Sequence, residues 1–435
     1  MKQSVETSPP KLGLALSGGG YRAAAFHLGT LRCLHKMGYL EQVKVLSTIS
    51  GGSITGAAYC LRHNEDVEAF YQRMKAALMR DSVVGHVFRS GLFIRMVTMV
   101  GSTLVLSLVL LFTRWAPISP LVLGLLVWLL LRYQFKWFPI SKEIEKAYNA
   151  FFYHDKALTD LPATPELAMG SSNLQTGRPF TFSRDWMGDS TYSFDKPAIR
   201  FNTLGFPIAR AVAASSCVPF AFSPVVIAPQ FFRHEADAAR VSPHLIDGGV
   251  YDNQGMQKLT QAGSHLACDL IIASDAGGGW SFLDVYHNTA TLLLRTVDLF
   301  MNRIRNFQMA ANLYQHAAGR GRPVALIALS WRLDRCIPGF VDNMVYGNVL
   351  PEILAARELP QAWIDAPEQH RSLIEGHLQA QVDYASIAQH DVTDEQWKLA
   401  CQVGTDLAPL TPAQLDALVQ QAENMTALQV KLYLP

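Results

Sequence analysis

The sequence lacks an excess of either charge: 37 Lys and Arg stand against 36 Asp and Glu, a net charge of +1. Nothing in that balance recruits nucleic acid. It also lacks paired cysteines. Cys33, Cys60, Cys217, Cys268, Cys336 and Cys401 occur singly, in apolar contexts such as LRCL, AYCL and LACDL. With neither a disulfide framework nor a C-x-x-C metal pair, a reducing compartment is the expectation. The opening MKQSVETSPPKLG has no apolar core segment and does not read as a secretory signal. There is no internal repeat or low-complexity tract, and neither G-x-x-x-x-G-K-S/T nor G-x-G-x-x-G occurs, which weakens a nucleotide-binding reading. What remains is 435 residues, 49% hydrophobic and 17% charged, enough for one large domain with additions, or for two or three.

Apolar runs and helical stripes alternate along much of that length. Leu12–Leu16 (LGLAL) reads as a buried strand. It runs into Ser17-Gly18-Gly19-Gly20-Tyr21-Arg22, and a helix follows over 23–37 with Gly38 as its C-cap. Three successive glycines between strand and helix let backbone N–H groups approach a ligand oxygen, to cradle a phosphate or to form an oxyanion hole. The stretch Val43–Gly56 (VKVLSTISGGSITG) reads as strand, sharp turn and helix, with Ser53 placed at the turn near the positive end of a helix dipole. Gly51 and Gly52 supply the permissive backbone of the bend. Matched to G-x-S-x-G through Gly51 and Ser53, the pattern departs at Thr55, where a glycine is expected; the next glycine is Gly56.

Two segments lack charge altogether. MVTMVGSTLVLSLVLLFT (96–113) and WAPISPLVLGLLVWLLL (115–131) are separated by Arg114. As helices they would each be about 25–27 Å long, close to the hydrocarbon thickness of a bilayer. Arg89 and Arg95 precede the pair, and Arg132, Lys136 and Lys142 follow it. Basic residues at both outer ends make a transmembrane helical hairpin with its ends on the cytoplasmic side. The competing readings are two long core helices, or a re-entrant hairpin shortened by Pro117 and Pro120.

Beyond it a helix is expected over 143–153 and strands over 167–174, 180–183, 198–204, 244–247, 270–274 and 324–329. Helices are expected over 208–218 and 289–318, and again from 351 onward. Alternating strands and helices make an α/β sheet that gathers ligands at strand carboxyl ends. Three such ends carry chemistry: Gly18–Gly20, Ser53 and Asp247, the last within LIDGGVYDNQG. A serine nucleophile needs a base and oxyanion donors, and Asp247 and the Gly18–Gly20 amides are the candidates. A Ser–His–Asp triad would draw on His265, His287 or His316. His27 reads as a packed helix residue and Asp252 as a loop stabiliser.

In the order SGGGYR, GGSITG, PELAMGSSNLQTGRPFTF, ARAVAASSCVPFAFSPV and LIDGGVYDNQG, the chain resembles the patatin-like phospholipase family. The resemblance covers roughly residues 12–85 and 160–280. It implies an α/β three-layer sandwich with a central, mostly parallel sheet, here carrying the inserted transmembrane hairpin. It also implies a Ser–Asp dyad lipid acyl hydrolase that needs no cofactor or metal and no triad histidine. Ser53 would attack the ester, Asp247 would activate it and then the water, and Gly18, Gly19 and Gly20 would bind the oxyanion. Arg22 would support the hole or a lipid phosphate. Ala23, where many members have glycine, and Thr55 are the departures.

The expected organisation is a catalytic domain in two parts, 12–91 and 139–335, split by the hairpin at 92–138 and followed by a helical extension, 336–435. The expected partners are membrane phospholipids or lysophospholipids and the bilayer itself, without nucleic acid. The alternatives are a lipid-binding or partner-docking module that has lost catalysis, and an acyltransferase working through the same acyl-enzyme.

Overall fold

The computed structural model describes residues 9–219, 222–279, 286–314 and 321–435. Among them nine strands form one sheet: β1 (Leu12–Leu16), β2 (Val43–Ile49), β3 (Glu166–Asn173), β4 (Arg178–Phe182), β5 (Met187–Gly188), β6 (Val225–Val226), β7 (His244–Asp247), β8 (Leu270–Asp275) and β9 (Val324–Ala328). The order is β5-β4-β3-β2-β1-β8-β9, with β7 paired to β3 and β6 to β7. Strands β3, β2, β1, β8 and β9 run parallel, while β4, β5, β6 and β7 join antiparallel. The helices that position the site and the hairpin are α1 (Gly20–Lys36), α2 (Gly51–Leu61), α3 (Gly91–Leu111), α4 (Ser119–Trp137), α5 (Ile140–Tyr148), α6 (Ile208–Ser215), α7 (Thr289–Met309) and α8 (Pro412–Tyr433).

The parallel strands are apolar on both faces because both faces are covered. Alternate residues point to opposite sides: Leu12, Leu14, Leu16, Ile272, Ala325 and Ile327 join the larger core, whereas Ala15, Ile271, Ala273, Val324 and Leu326 join a second, smaller one. Small residues then bring helices close to the sheet and to one another. A Cβ on Gly29 of α1 would lie 2.4 Å from the Val419 carbonyl oxygen of α8, so glycine sets how closely these two helices cross.

The 336–435 region is built into this core. Leu415, Leu418, Met425 and Leu428 of α8 are buried in the same cluster as β1 and α1. The strand expected over 198–204 does not form. Only Phe201 makes a bridge, to Phe232, because its ring packs among Phe180, Tyr192 and Phe232 in an aromatic cluster. Helix α7 ends earlier than expected, at Met309, and continues as a wider helical turn over Ala310–Tyr314; the remainder of the 289–318 expectation lies outside the described residues.

The hairpin helices are bare. Windows within 91–111 and 116–153 have mean hydropathies of 2.0 and 1.7 yet are only 6% and 11% buried, so they are not core helices of a soluble body. The pair is clasped by Ser107 and Ser119, whose hydroxyls lie 2.6 Å apart while Ser119 also donates to the Ser107 carbonyl.

Candidate active site

The residues that come together lie at the carboxyl ends of β1, β2 and β7. Between β2 and α2 the turn residue is Ser50, with φ 49° and ψ −117°. A non-glycine residue held there is strained, the kind of turn on which a nucleophile elbow is built. The glycines after it permit the bend: a Cβ on Gly51 would lie 2.2 Å from the Gly20 carbonyl oxygen, and one on Gly52 would lie 2.4 Å from that of Leu16. The Ser50 hydroxyl donates to Asp247 Oδ2 at 2.9 Å. Asp247 Oδ1 accepts the Gly249 N–H at 2.7 Å, and the Asp247 N–H donates to the Cys217 carbonyl. Burial pushes the Asp247 carboxyl up to about 6, against the opposing pull of the Gly249 N–H and the Ser50 hydroxyl.

The structure does not bring Ser53, the serine expected beside Asp247, to that carboxylate. Ser53 is fully buried one turn into α2, and its hydroxyl meets Thr48 Oγ1 at 3.0 Å and Ser215 Oγ at 2.9 Å, with no hydrogen bond to Asp247. The Ser215 hydroxyl donates to the Gly170 carbonyl and accepts the Ser50 N–H. Its one proton is committed, so Ser53 donates to Ser215 and Thr48 to Ser53. This chain of hydroxyls braces the elbow from beneath. Aligned on Ser50, the elbow pattern spans Thr48-Ile49-Ser50-Gly51-Gly52. Thr48 then replaces the first glycine and Gly52 supplies the last. Thr55 is no departure at all: it donates to the Ala24 carbonyl at 2.8 Å and ties α2 to α1.

The glycine loop divides its work. The Gly18 N–H, one of the expected oxyanion donors, donates to the Asn253 carbonyl at 2.9 Å. The N–H groups of Gly19, Gly20 and Gly51 have no acceptor among the described residues. Gly19 and Gly20 have φ of 139° and 58°, conformations that glycine adopts without strain. Arg22 lies beside the loop, its Nη1 donating to the Val403 carbonyl and its buried Nε without a partner. A Cβ on Gly19 would lie 3.3 Å from Arg22 Nη2. Burial lowers the Arg22 pKa, with Asp275 opposing.

These groups open into a cavity of about 200 Å³ lined by Gly18–Gly20, Arg22, Ser50 and Asp247, by Val218 and Pro219 after α6, and by Leu294, Val297 and Met301 of α7. Helix α7 buries none of its residues. Arg305 anchors it, 2.8 Å from Asp275 Oδ2 at the end of β8. Burial alone would raise the Asp275 carboxyl; Arg305, Gln254 and the Gly277 N–H outweigh it and hold the group below the usual range.

Among the described residues, no histidine lines this cavity. His265 bonds Glu166 on the surface and His287 is exposed; His316 lies outside the described residues. His27 is buried between Ser274 Oγ and the Ser17 carbonyl, and burial pushes its ring down to about 4. Asp252 accepts the backbone N–H groups of Gln254, Gly255 and Gln257, the loop-fixing part expected of it. Sequence reasoning missed Ser50, whose signal was its place directly after the strand, and Thr405, which reaches the cavity from the C-terminal region.

A family model for patatin-like phospholipase matches residues 14–257, more than half of the chain. No curated protein sequence matches. Among solved structures, VipD from Legionella pneumophila is 15% identical over 91% of this chain and 83% of that one, with a TM-score of 0.34. Human GIVD cytosolic phospholipase A2 is 14% identical over 97% of this chain and 60% of that one, with a TM-score of 0.46. ExoU from Pseudomonas aeruginosa, solved in complex with SpcU, comes from a structure 15% identical over 95% of this chain and 77% of that one, with a TM-score of 0.25.

Proposed function

This chain belongs to the patatin-like phospholipase family, and from that premise we propose that it is a membrane-anchored serine hydrolase of the acyl esters of glycerophospholipids or lysophospholipids. The contact between Ser50, strained at φ 49°, and the buried Asp247 carboxylate 2.9 Å away carries the proposal. Ser50 Oγ attacks the ester carbonyl as its proton passes to Asp247 Oδ2. The free N–H groups of Gly19, Gly20 and Gly51 receive the oxyanion, with the Arg22 charge beside them. Collapse of the tetrahedral intermediate breaks the ester C–O bond, and the leaving alkoxide takes the proton back from Asp247. Water then gives a proton to Asp247 and attacks the acyl-Ser50 carbonyl; the bond from the acyl carbon to Ser50 Oγ breaks, Ser50 Oγ takes the proton back from Asp247, and the fatty acid leaves.

The hairpin supports the membrane part of this reading: it is apolar, bare and long enough to cross a bilayer, with basic residues at both outer ends. Those ends, and the catalytic body they join, face the cytoplasm.

A serine-reactive fluorophosphonate tests the dyad. Wild type and Ser53→Ala are expected to be labelled, and Ser50→Ala and Asp247→Asn to lose labelling and hydrolysis while remaining folded and membrane-bound. Labelling that persists in Ser50→Ala and vanishes in Ser53→Ala would overturn the assignment. Loss of the Ser53 hydroxyl should lower stability by about 1 kcal/mol, the typical net worth of a buried hydrogen bond.

A further inference from the structure

A second cavity, of about 580 Å³, lies between α3 and α4 at the end where the hairpin meets the catalytic body. Its walls are Val97, Gly101 and Leu104 from α3 and Leu130 from α4, and Phe222 and Ser223 of the segment after α6 also line it. It falls within the range of about 300–1,000 Å³ usual for sites that bind small molecules. From Met96 to Leu104 the α3 wall runs about 12 Å at 1.5 Å per residue. That is comparable to half of a hydrocarbon core about 30 Å thick.

Two observations tie this cleft to the catalytic cavity. Phe222 borders the cleft while Pro219 lines the cavity around Ser50. Three Cα steps separate them, a span of at most about 11 Å. The helix leaving the hairpin is also fastened to the same segment: Ser141 Oγ lies 2.9 Å from Ser223 Oγ, and Tyr148 Oη lies 3.0 Å from Ser216 Oγ. The floor of the cleft and the wall of the active site thus lie on two nearby pieces of chain, one held at Ser216 and the other at Ser223 by the helix that leaves the hairpin.

We propose that the cleft is an acyl-chain portal, in which one fatty chain of a bilayer phospholipid lies between α3 and α4 with its ester at Ser50. The occupant follows from the lining, which is apolar but for Gln134 and Ser223, and from the bare apolar helices on either side. Arg95, whose guanidinium donates to the Trp137 carbonyl, and Lys136 put positive charge at the base of the hairpin, suited to the lipid phosphate. The phospholipid need not leave the bilayer: its distal methylenes stay in the cleft while its carbonyl enters the oxyanion hole. The portal rests on the proposed roles of Ser50 and the hairpin.

Gly101 makes the portal testable, since it lines the cleft and a Cβ built there meets nothing within 4 Å, so a larger side chain can be placed at the cleft wall without moving backbone. The series Gly101→Ala, Gly101→Leu and Gly101→Trp is assayed in liposomes of long-chain phosphatidylcholine and, separately, on a water-soluble butyrate ester. Hydrolysis of the long-chain lipid should fall stepwise with side-chain size, by roughly tenfold or more at Trp, the scale on which lost apolar complementarity discriminates. The butyrate rate should stay flat. A long-chain rate indifferent to the series, or a loss that takes both substrates alike, overturns the portal. Ser50→Ala, run alongside, separates the two failures: butyrate hydrolysis surviving in it would instead sink the proposed catalytic site.

Discussion

At the residue scale, three positions separate Ser50 from Ser53, and the difference is one of backbone geometry. The sequence displays both hydroxyls beside Gly51 and Gly52, and a pattern anchored on a preceding glycine selects Ser53. What separates them in the fold is that β2 runs to Ile49, so the first residue past it takes the strained turn and Ser53 falls inside α2. Positive φ leaves no trace in side-chain chemistry. The place of Asp247 was legible, because a strand of four residues ends on it. Its environment carries a prediction about pH. Asp247 titrates at about 6 in the fold and near 3.9 in an unfolded chain. Between those values the folded state keeps a proton that the unfolded state has lost. The stabilisation is therefore complete below about pH 4 and is lost as pH rises through about 6. Urea midpoints measured from pH 4 to 8 should show that decline in wild type and a flatter profile in Asp247→Asn. In the proposed mechanism activity runs the other way, because there the carboxylate must be unprotonated to accept the Ser50 proton. Accordingly kcat/KM should rise with pH to a plateau above about 6.

At the element scale, strands with strong apolar patterning were read at or near their true bounds: β1 and β7 match and β8 differs by one residue. The 198–204 run failed because apolar residues serve aromatic packing as readily as a ladder, and composition does not distinguish the two. For the hairpin, the absence of charge located both helices, while their ends moved. Ser90 caps α3 by accepting the Phe93 N–H, and α4 starts only at Ser119, next to Pro120. Its two ends lie together where Arg95 reaches the Trp137 carbonyl, so a short glycine-serine linker can replace 92–138. The shortened protein is expected to move from the membrane pellet to the supernatant and to keep hydrolysing a soluble short-chain ester. Continued sedimentation with washed membranes would contradict the anchoring role.

At the scale of the whole molecule, the first helix of the glycine loop and the last helix of the chain form one packed unit. The Tyr21 N–H donates to the Asp406 carbonyl, and a Cβ on Gly20 would lie 2.3 Å from that same oxygen. None of this was legible, because a polar helical C-terminal stretch gives no sign of which surface it covers. Replacing Gly29 by leucine forces α1 away from the Val419 carbonyl. It should lower stability by about 1–3 kcal/mol, the usual cost of overpacking, seen as a reduced urea midpoint with an unchanged m-value.

In the proposed membrane-anchored enzyme, the serine-to-serine bond joins the hairpin exit to the floor of the cleft and would set the height and tilt of the mouth over its own leaflet. Encounters would then take place in two dimensions. Turnover should follow the mole fraction of substrate within the sheet of lipid, so that diluting it with an inert non-hydrolysable ether lipid slows the enzyme even when the total amount in the tube is constant.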